Sequence, residues 1–273
     1  MPESPRYLAQ VRGEALRAAQ ELGHFSGGVV AGAARTATAG SRLRLREFLS
    51  DRRMLKLLVG TAGAWFVFDY AYYGNTLSLP AILKEVNPVA SLETKLVWSL
   101  GMFVVFALPG YVLAVARMDR IGHRRLQFIG FSVIALCFGV LALVPALTKH
   151  IAPFLALFGL SYFFVQFGPN MTTFVMPSEV FPVSMRTTGH GMAAGIGKLG
   201  AFVGAFLVPV LQAHIGLRGL LAVAGVAAVL GFSATALLPE PSGRTLEELS
   251  ERPSEVPRRA KALLSPQKVA EPA

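Results

Sequence analysis

Six long apolar stretches separated by short polar turns organise this chain, near residues 55–79, 95–117, 126–147, 151–177, 187–212 and 217–239. Each can cross a hydrocarbon core about 30 Å thick, which takes about 20 helical residues. No water reaches backbone amides at that depth, so runs of this length predict helices that satisfy their own hydrogen bonds. The pattern predicts an all-α membrane fold: a polar leading segment over 1–54, a six-helix bundle over 55–239 and a polar tail over 240–273. Residues 7–22 read either as an amphipathic surface helix or as a solvated linker. A Gly/Ala/Ser stretch to about residue 41 reads as flexible, and the following run SRLRLREFLSDRR suits anionic headgroups. The tail alternates charge with proline and is expected to be disordered after a short helical turn.

Arginine placement orients the spans. Residues 1–54 carry Arg6, Arg12, Arg17, Arg35, Arg42, Arg44, Arg46, Arg52 and Arg53, and the turn after the second span holds Arg117, Arg120, Arg124 and Arg125. The opposite turns hold only Lys84, Lys95, Lys149 and Arg218. The positive-inside rule then places both termini in the cytoplasm of a multi-pass protein, expected in the cell membrane. Residues 1–54 lack the apolar core of a cleavable signal peptide.

Composition agrees. The 273 residues are 53% hydrophobic and 15% charged, with a mean hydropathy of +0.52, more apolar than one soluble core can hide. The net charge of +10 sits in turns where topology requires it, which argues against a nucleic-acid partner. The single cysteine, Cys137, lies within a span, so the chain cannot close an internal disulfide. The five histidines show no metal-ligand spacing, and neither a GxSxG nor a phosphate-binding loop is present. The reading is therefore not an enzyme, with no cofactor and no metal.

Two charges interrupt the apolar runs: Asp69 in the first span and Lys198 in the fifth. A charge near the bilayer centre costs about 3 kcal/mol on insertion scales, so those retained mark a substrate, ion or proton path. Trp65, Asp69 and Tyr73 are four residues apart and share one helical face. The first helix is expected to loosen at Gly74, Asn75 and Pro80, and the fourth to kink at Gly168 and Pro169, beside Asn170. Plainer readings stand beside these. Asp69 and Lys198 can form a purely structural pair, Trp65 and Tyr73 can be packing aromatics, and Asn170 can serve the backbone freed by Pro169. Gly191, Gly195, Gly200 and Gly204 read as helix-packing contacts.

PESPRYL at 2–8, DRIGHRR at 119–125, PSEVFPVSMR at 177–186 and PEPSGRTLEEL at 239–249 resemble signatures of the major facilitator superfamily, in order and at suitable distances. The resemblance is to its sugar-porter and phosphate:proton-symporter branches. It implies the C-terminal half, helices 7 to 12, of a twelve-helix transporter, with an N-terminal six-helix half as partner and Met1 where that half should end. It also implies a gating latch at Asp119, Gly122, Arg124, Glu179 and Arg186. His123 stands where the family usually has a basic residue, which makes the latch weaker or pH-sensitive. Asp119 is expected to accept from helix-end amides or an arginine.

Trp65, Asp69, Tyr73, Asn170 and Lys198 match the positions that surround phosphate in the symporters. The implied function is inorganic phosphate:proton symport. Trp65, Tyr73 and Asn170 would donate neutral hydrogen bonds to phosphate, Lys198 would supply charge, and Asp69 would reject sulfate or carry the proton. The alternatives are a sugar or organic-anion proton symporter, or a truncated half that does not transport.

Overall fold

A computed structural model describes residue 5 and residues 8–26, 45–182 and 184–244. Among the described residues the secondary structure is helical, without a strand. The expected flexible stretch and the tail beyond 244 lie outside them. In the leading segment, a π-helical turn over Leu8–Arg12 precedes α1 (Ala15–Phe25), which covers part of the anticipated amphipathic stretch. The short α2 (Leu45–Ser50) buries Phe48, whose ring meets Phe181 at 5.7 Å.

The first span, α3 (Arg52–Leu77), starts at Asp51, whose carboxylate accepts from the backbone amides of Arg53 at 2.7 Å and Met54 at 3.4 Å. Those are orphan donors of a first helical turn, and the aspartate satisfies both. The helix does not loosen at Gly74 or Asn75. It continues to Leu77 and breaks at Ser78, and Pro80 opens α4 (Leu79–Val86). Gly74 serves packing instead, because a β-carbon there would overlap Val208. Ser91 caps the next span, α5 (Leu92–Ile121), by accepting from the Thr94 amide at 3.1 Å. Then come α6 (His123–Leu143) and α7 (Ile151–Val180). The expected kink in α7 is present: regular helix stops at Phe167, Gly168 leaves helical geometry, and Pro169 starts the second segment.

Five helical runs are long and apolar enough to cross a membrane, and the last, Arg186–Ala236, has 51 residues. At about 1.5 Å per residue it is more than twice the thickness of a hydrocarbon core. Gly216, at φ 68° and ψ 177°, divides it into α8 (186–215) and α9 (217–236). Six crossings result, successive spans running in opposite directions. The turn between α5 and α6, the end of α7 and the end of α9 meet at the arginine-rich end. At the other end Glu85 of α4 holds the α8–α9 reversal, accepting from the Leu217 amide at 2.9 Å and the Gln212 side-chain amide at 3.1 Å. A residue with a β-carbon at positive φ and extended ψ, a region that only glycine adopts readily, costs about 1–3 kcal/mol. Gly216→Ala is therefore expected to destabilise the protein by about that amount, read as a lower thermal unfolding midpoint in detergent.

Helix α3 is the axis of the bundle. Gly200 and Gly204 of α8 lie so close to it that β-carbons there would strike the carbonyls of Phe66 and Tyr70. The glycine stripe splits at this point. A β-carbon added at Gly191 or Gly195 would meet no described residue within 4 Å, so among the described residues only half of the stripe makes the expected helix contact. On the other side of α3, Phe138, Phe154, Phe158 and Tyr162 pack ring against ring between α6 and α7. Span α5 stays peripheral, with only 22% of its most apolar stretch buried.

Candidate functional site

The regular pitch of α3 brings Trp65, Asp69 and Tyr73 onto one face, against α8. Asp69 is 1% exposed, and Lys198 Nζ donates to its Oδ2 at 3.0 Å. The ammonium also sits 5.0 Å from the centre of the Tyr73 ring and 5.9 Å from that of Phe174. Aromatic faces attract a cation, so one carboxylate and two rings hold Lys198. The lysine is nevertheless not buried. Its side chain is 53% exposed, beyond the close-packed edge that Gly197 and Gly200 form with α3, and on the side of α8 that no described residue covers.

Trp65 is 0% exposed and lies against Phe174 and His190 at ring-centre distances of 4.5 and 5.8 Å. Among the described residues its Nε1 and the His190 Nδ1 are buried without hydrogen-bond partners, two unsatisfied polar atoms close to Asp69 in the chain and the fold. Tyr73 is on the rim, 36% exposed. Asn170 belongs to a neighbouring arrangement. Its side-chain amide donates to Gln166 Oε1, and Gln166 Nε2 donates to the Tyr72 hydroxyl at 3.1 Å. Gln166 and Asn170 line a hollow of about 430 Å³ together with Phe103, Val104 and Tyr111 of α5. The fold thus brings Trp65, Asp69, Tyr73 and Lys198 together, while Asn170 connects through Gln166 to Tyr72, the next residue before Tyr73. Sequence reading did not single out Gln166 or Tyr72. The available signal was a second amide four residues before Asn170, hence one turn away on the same face.

The arginine-rich end carries a second polar cluster. Gly122, at φ 97°, reverses the chain between α5 and α6. His123 is 5% exposed; its Nδ1 is 2.8 Å from Glu179 Oε2, and its Nε2 is 3.5 Å from Asp119. The helix-end amides do not go to Asp119, contrary to expectation. Glu240 takes them, accepting from Arg124 N at 3.3 Å and Arg125 N at 3.2 Å. A carboxylate at the start of α6 also suits the positive end of its dipole. Asp119 stays exposed because its carbonyl, not its carboxylate, receives the Ser242 hydroxyl. Arg124 donates to the Ala236 carbonyl at 3.2 Å and Arg186 to the Phe181 carbonyl at 3.2 Å, so both arginines tie helix ends together. Glu240 stands in the quoted PEPSGRTLEEL segment but was not singled out, because its partners lie more than a hundred residues away. Removing the Glu179 carboxylate strands a buried imidazole nitrogen, a loss of about 1–3 kcal/mol. Glu179→Ala should lower thermal stability by that amount and Glu179→Gln, which keeps an acceptor, by less.

Six apolar helical segments with a carboxylate–ammonium pair between α3 and α8 define a membrane protein of the multi-span helical class. The sequence profile described as "Sugar (and other) transporter" matches residues 1–252, and the chain belongs to that family, part of the major facilitator superfamily. It is 32% identical to the repressible high-affinity phosphate permease of Neurospora crassa, over 92% of this chain and 49% of the relative. It is 35% identical to putative inorganic phosphate transporter 1-13 of Oryza sativa subsp. japonica, over 92% and 52% of the two chains. Identity to low affinity inorganic phosphate transporter 4 of Petunia hybrida is 30%, over 92% and 51%. The chain spans about half the length of these curated relatives.

Proposed function

We propose that this chain forms the C-terminal half of an inorganic phosphate:proton symporter. The observation that carries the reading is the Asp69–Lys198 pair, 3.0 Å long, with its carboxylate buried and its ammonium half exposed on an uncovered helix face. The relatives' names add the substrate class. In this mechanism an arriving phosphate competes with Asp69 for Lys198, since a compact ammonium serves phosphate oxygens as readily as a carboxylate. Asp69 then loses the Lys198 ammonium, its cationic partner among the described residues. A buried carboxylate without a partner is costly unless it takes up a proton, so phosphate entry and proton entry become one event. Tyr73 on the rim and Asn170 across the cleft donate neutral hydrogen bonds. The buried Trp65 Nε1, without a hydrogen-bond partner among the described residues, is a further donor on the same face of α3. While ionised, Asp69 accepts from a phosphate hydroxyl, which sulfate at neutral pH lacks.

The partner in this reading is a six-helix N-terminal half. It would cover α5 and the α8 face bearing Gly191, Gly195, Lys198, Phe202 and Phe206, closing the site between two repeats at mid-membrane. The arginine-rich end faces the cytoplasm of a cell membrane. There the cluster of Asp119, Gly122, Arg124, Glu179 and Arg186, together with His123 and Glu240, acts as a latch that holds helix ends while the site faces out. Uptake of radiolabelled phosphate into vesicles containing both halves tests the proposal. A pH gradient, acid outside, should drive uptake above equilibrium, with glucose and sulfate failing to compete. Uptake that responds to glucose and not to phosphate would select a sugar symporter instead.

A further inference from the structure

A separate cavity of about 360 Å³ opens at the arginine-rich end between the start of α3, the start of α6 and the end of α9. Three cations line it, Arg53, Lys56 and Arg124, and the remaining wall includes Leu57, Ala236 and Leu238. Among the described residues no acidic side chain is part of that wall; Asp51 and Glu240 are engaged with the first-turn amides of α3 and α6. Arg124 is held in place. It donates to the Ala236 carbonyl, its guanidinium lies 5.2 Å from the centre of the Phe128 ring, and its Nε is buried without a partner. Lys56 makes no ion pair among the described residues.

The depth of the cavity matters as much as its charge. Arg53 and Lys56 occupy the first turns of one span, Arg124 the first turn of another, and Ala236 the last turn of a third, so the cavity sits at a membrane–water boundary. One turn further into the bilayer, Phe128 packs against Phe232 with ring centres 4.6 Å apart and planes inclined at 53°, and Phe232 and Val229 are 41% and 53% exposed. Positive charge above an exposed apolar wall suits a molecule that carries both an anion and acyl chains. A free anion would gain nothing from the wall.

We propose that this cavity binds the phosphodiester headgroup of an anionic phospholipid, with the acyl chains laid along Phe128, Phe232 and Val229. The lipid joins α3, α6 and α9 at the end where α6 and α9 already meet through Arg124 and Glu240. The site is distinct from Asp69 and Lys198 and does not depend on which solute is carried.

Native mass spectrometry of the full chain in non-ionic detergent tests this, with phosphatidylglycerol and phosphatidylcholine of identical acyl chains as probes. Phosphatidylglycerol should be retained preferentially. Lys56→Ala should weaken retention about fivefold, as expected for one basic residue at a lipid surface. Arg125→Ala is the matched control, removing the same charge at the same end from an exposed residue that does not line the cavity; without direct contact to the headgroup and screened by solvent, its effect should stay below about twofold. Ala236→Trp should block binding by filling the cavity with the charge unchanged. Equal retention of the two lipids, equal losses in Lys56→Ala and Arg125→Ala, or undiminished binding in Ala236→Trp would each overturn the proposal. Displacement of the lipid by millimolar inorganic phosphate would do so too, by making this a soluble-anion site. Thermal unfolding of each variant, expected near wild type because Lys56 and Ala236 are exposed, separates lost binding from lost fold.

Discussion

Lys198→Ala is expected to abolish phosphate uptake in membranes that contain both transporter halves, while the chain still inserts and folds. Among the described residues the ammonium is the cation beside Asp69, and neutral donors such as Tyr73 and Asn170 cannot offset the charge of a bound phosphate. Truncating one partner of a close charged contact costs about 2–5 kcal/mol, which corresponds to at least about a thirtyfold loss of affinity. The fold should tolerate the change, because the buried Asp69 can take up a proton once its partner is gone, and the helix is seated by Gly197, Gly200 and Gly204. Lys198→Arg is an informative companion. It preserves charge but replaces a point donor by a planar fork, so partial activity is expected. Phosphate affinity unchanged in Lys198→Ala vesicles would end the phosphate reading.

Asp69→Asn is the second large effect, and it separates coupling from structure. The substitution keeps size and removes the titratable group. A coupling role predicts loss of uphill, proton-driven uptake with counterflow exchange of phosphate retained, and a selectivity role adds that sulfate begins to compete. A structural pair predicts something different. The single variant would strand Lys198 and lower stability, and the double variant Asp69→Asn, Lys198→Met would restore both stability and transport. The expected result is that the double variant recovers stability at most. Recovery of transport would remove both residues from the site.

The two charges in apolar runs were legible because a bilayer penalises them wherever the chain places them. Their pairing was not, since 129 residues separate them and only the packing of α8 on α3 sets the 3.0 Å contact. The same limit explains Glu240 and Gln166. Glu240 acts on amides more than a hundred positions away, and Gln166 reaches Tyr72 across two spans. Gly74 shows the converse error: a residue that locally suggests a break instead gives room to Val208 of a neighbouring helix.

Apolar length, turn chemistry and arginine placement by themselves determined six antiparallel helices, because each span must satisfy its backbone internally and so responds to its own residues. They also determined that Trp65, Asp69 and Tyr73 share a face, a consequence of helical pitch alone. The tertiary structure decided which side of each helix is covered. It seated half of the α8 glycine stripe on α3 and left Gly191 and Gly195 open, and it put Lys198 on a rim instead of in the core. It also assigned the α6 amides to Glu240 and enclosed three cations around one cavity. The physical reason is that helix formation is local along the chain, whereas burial and charge partnership depend on side-chain shapes brought together from distant segments.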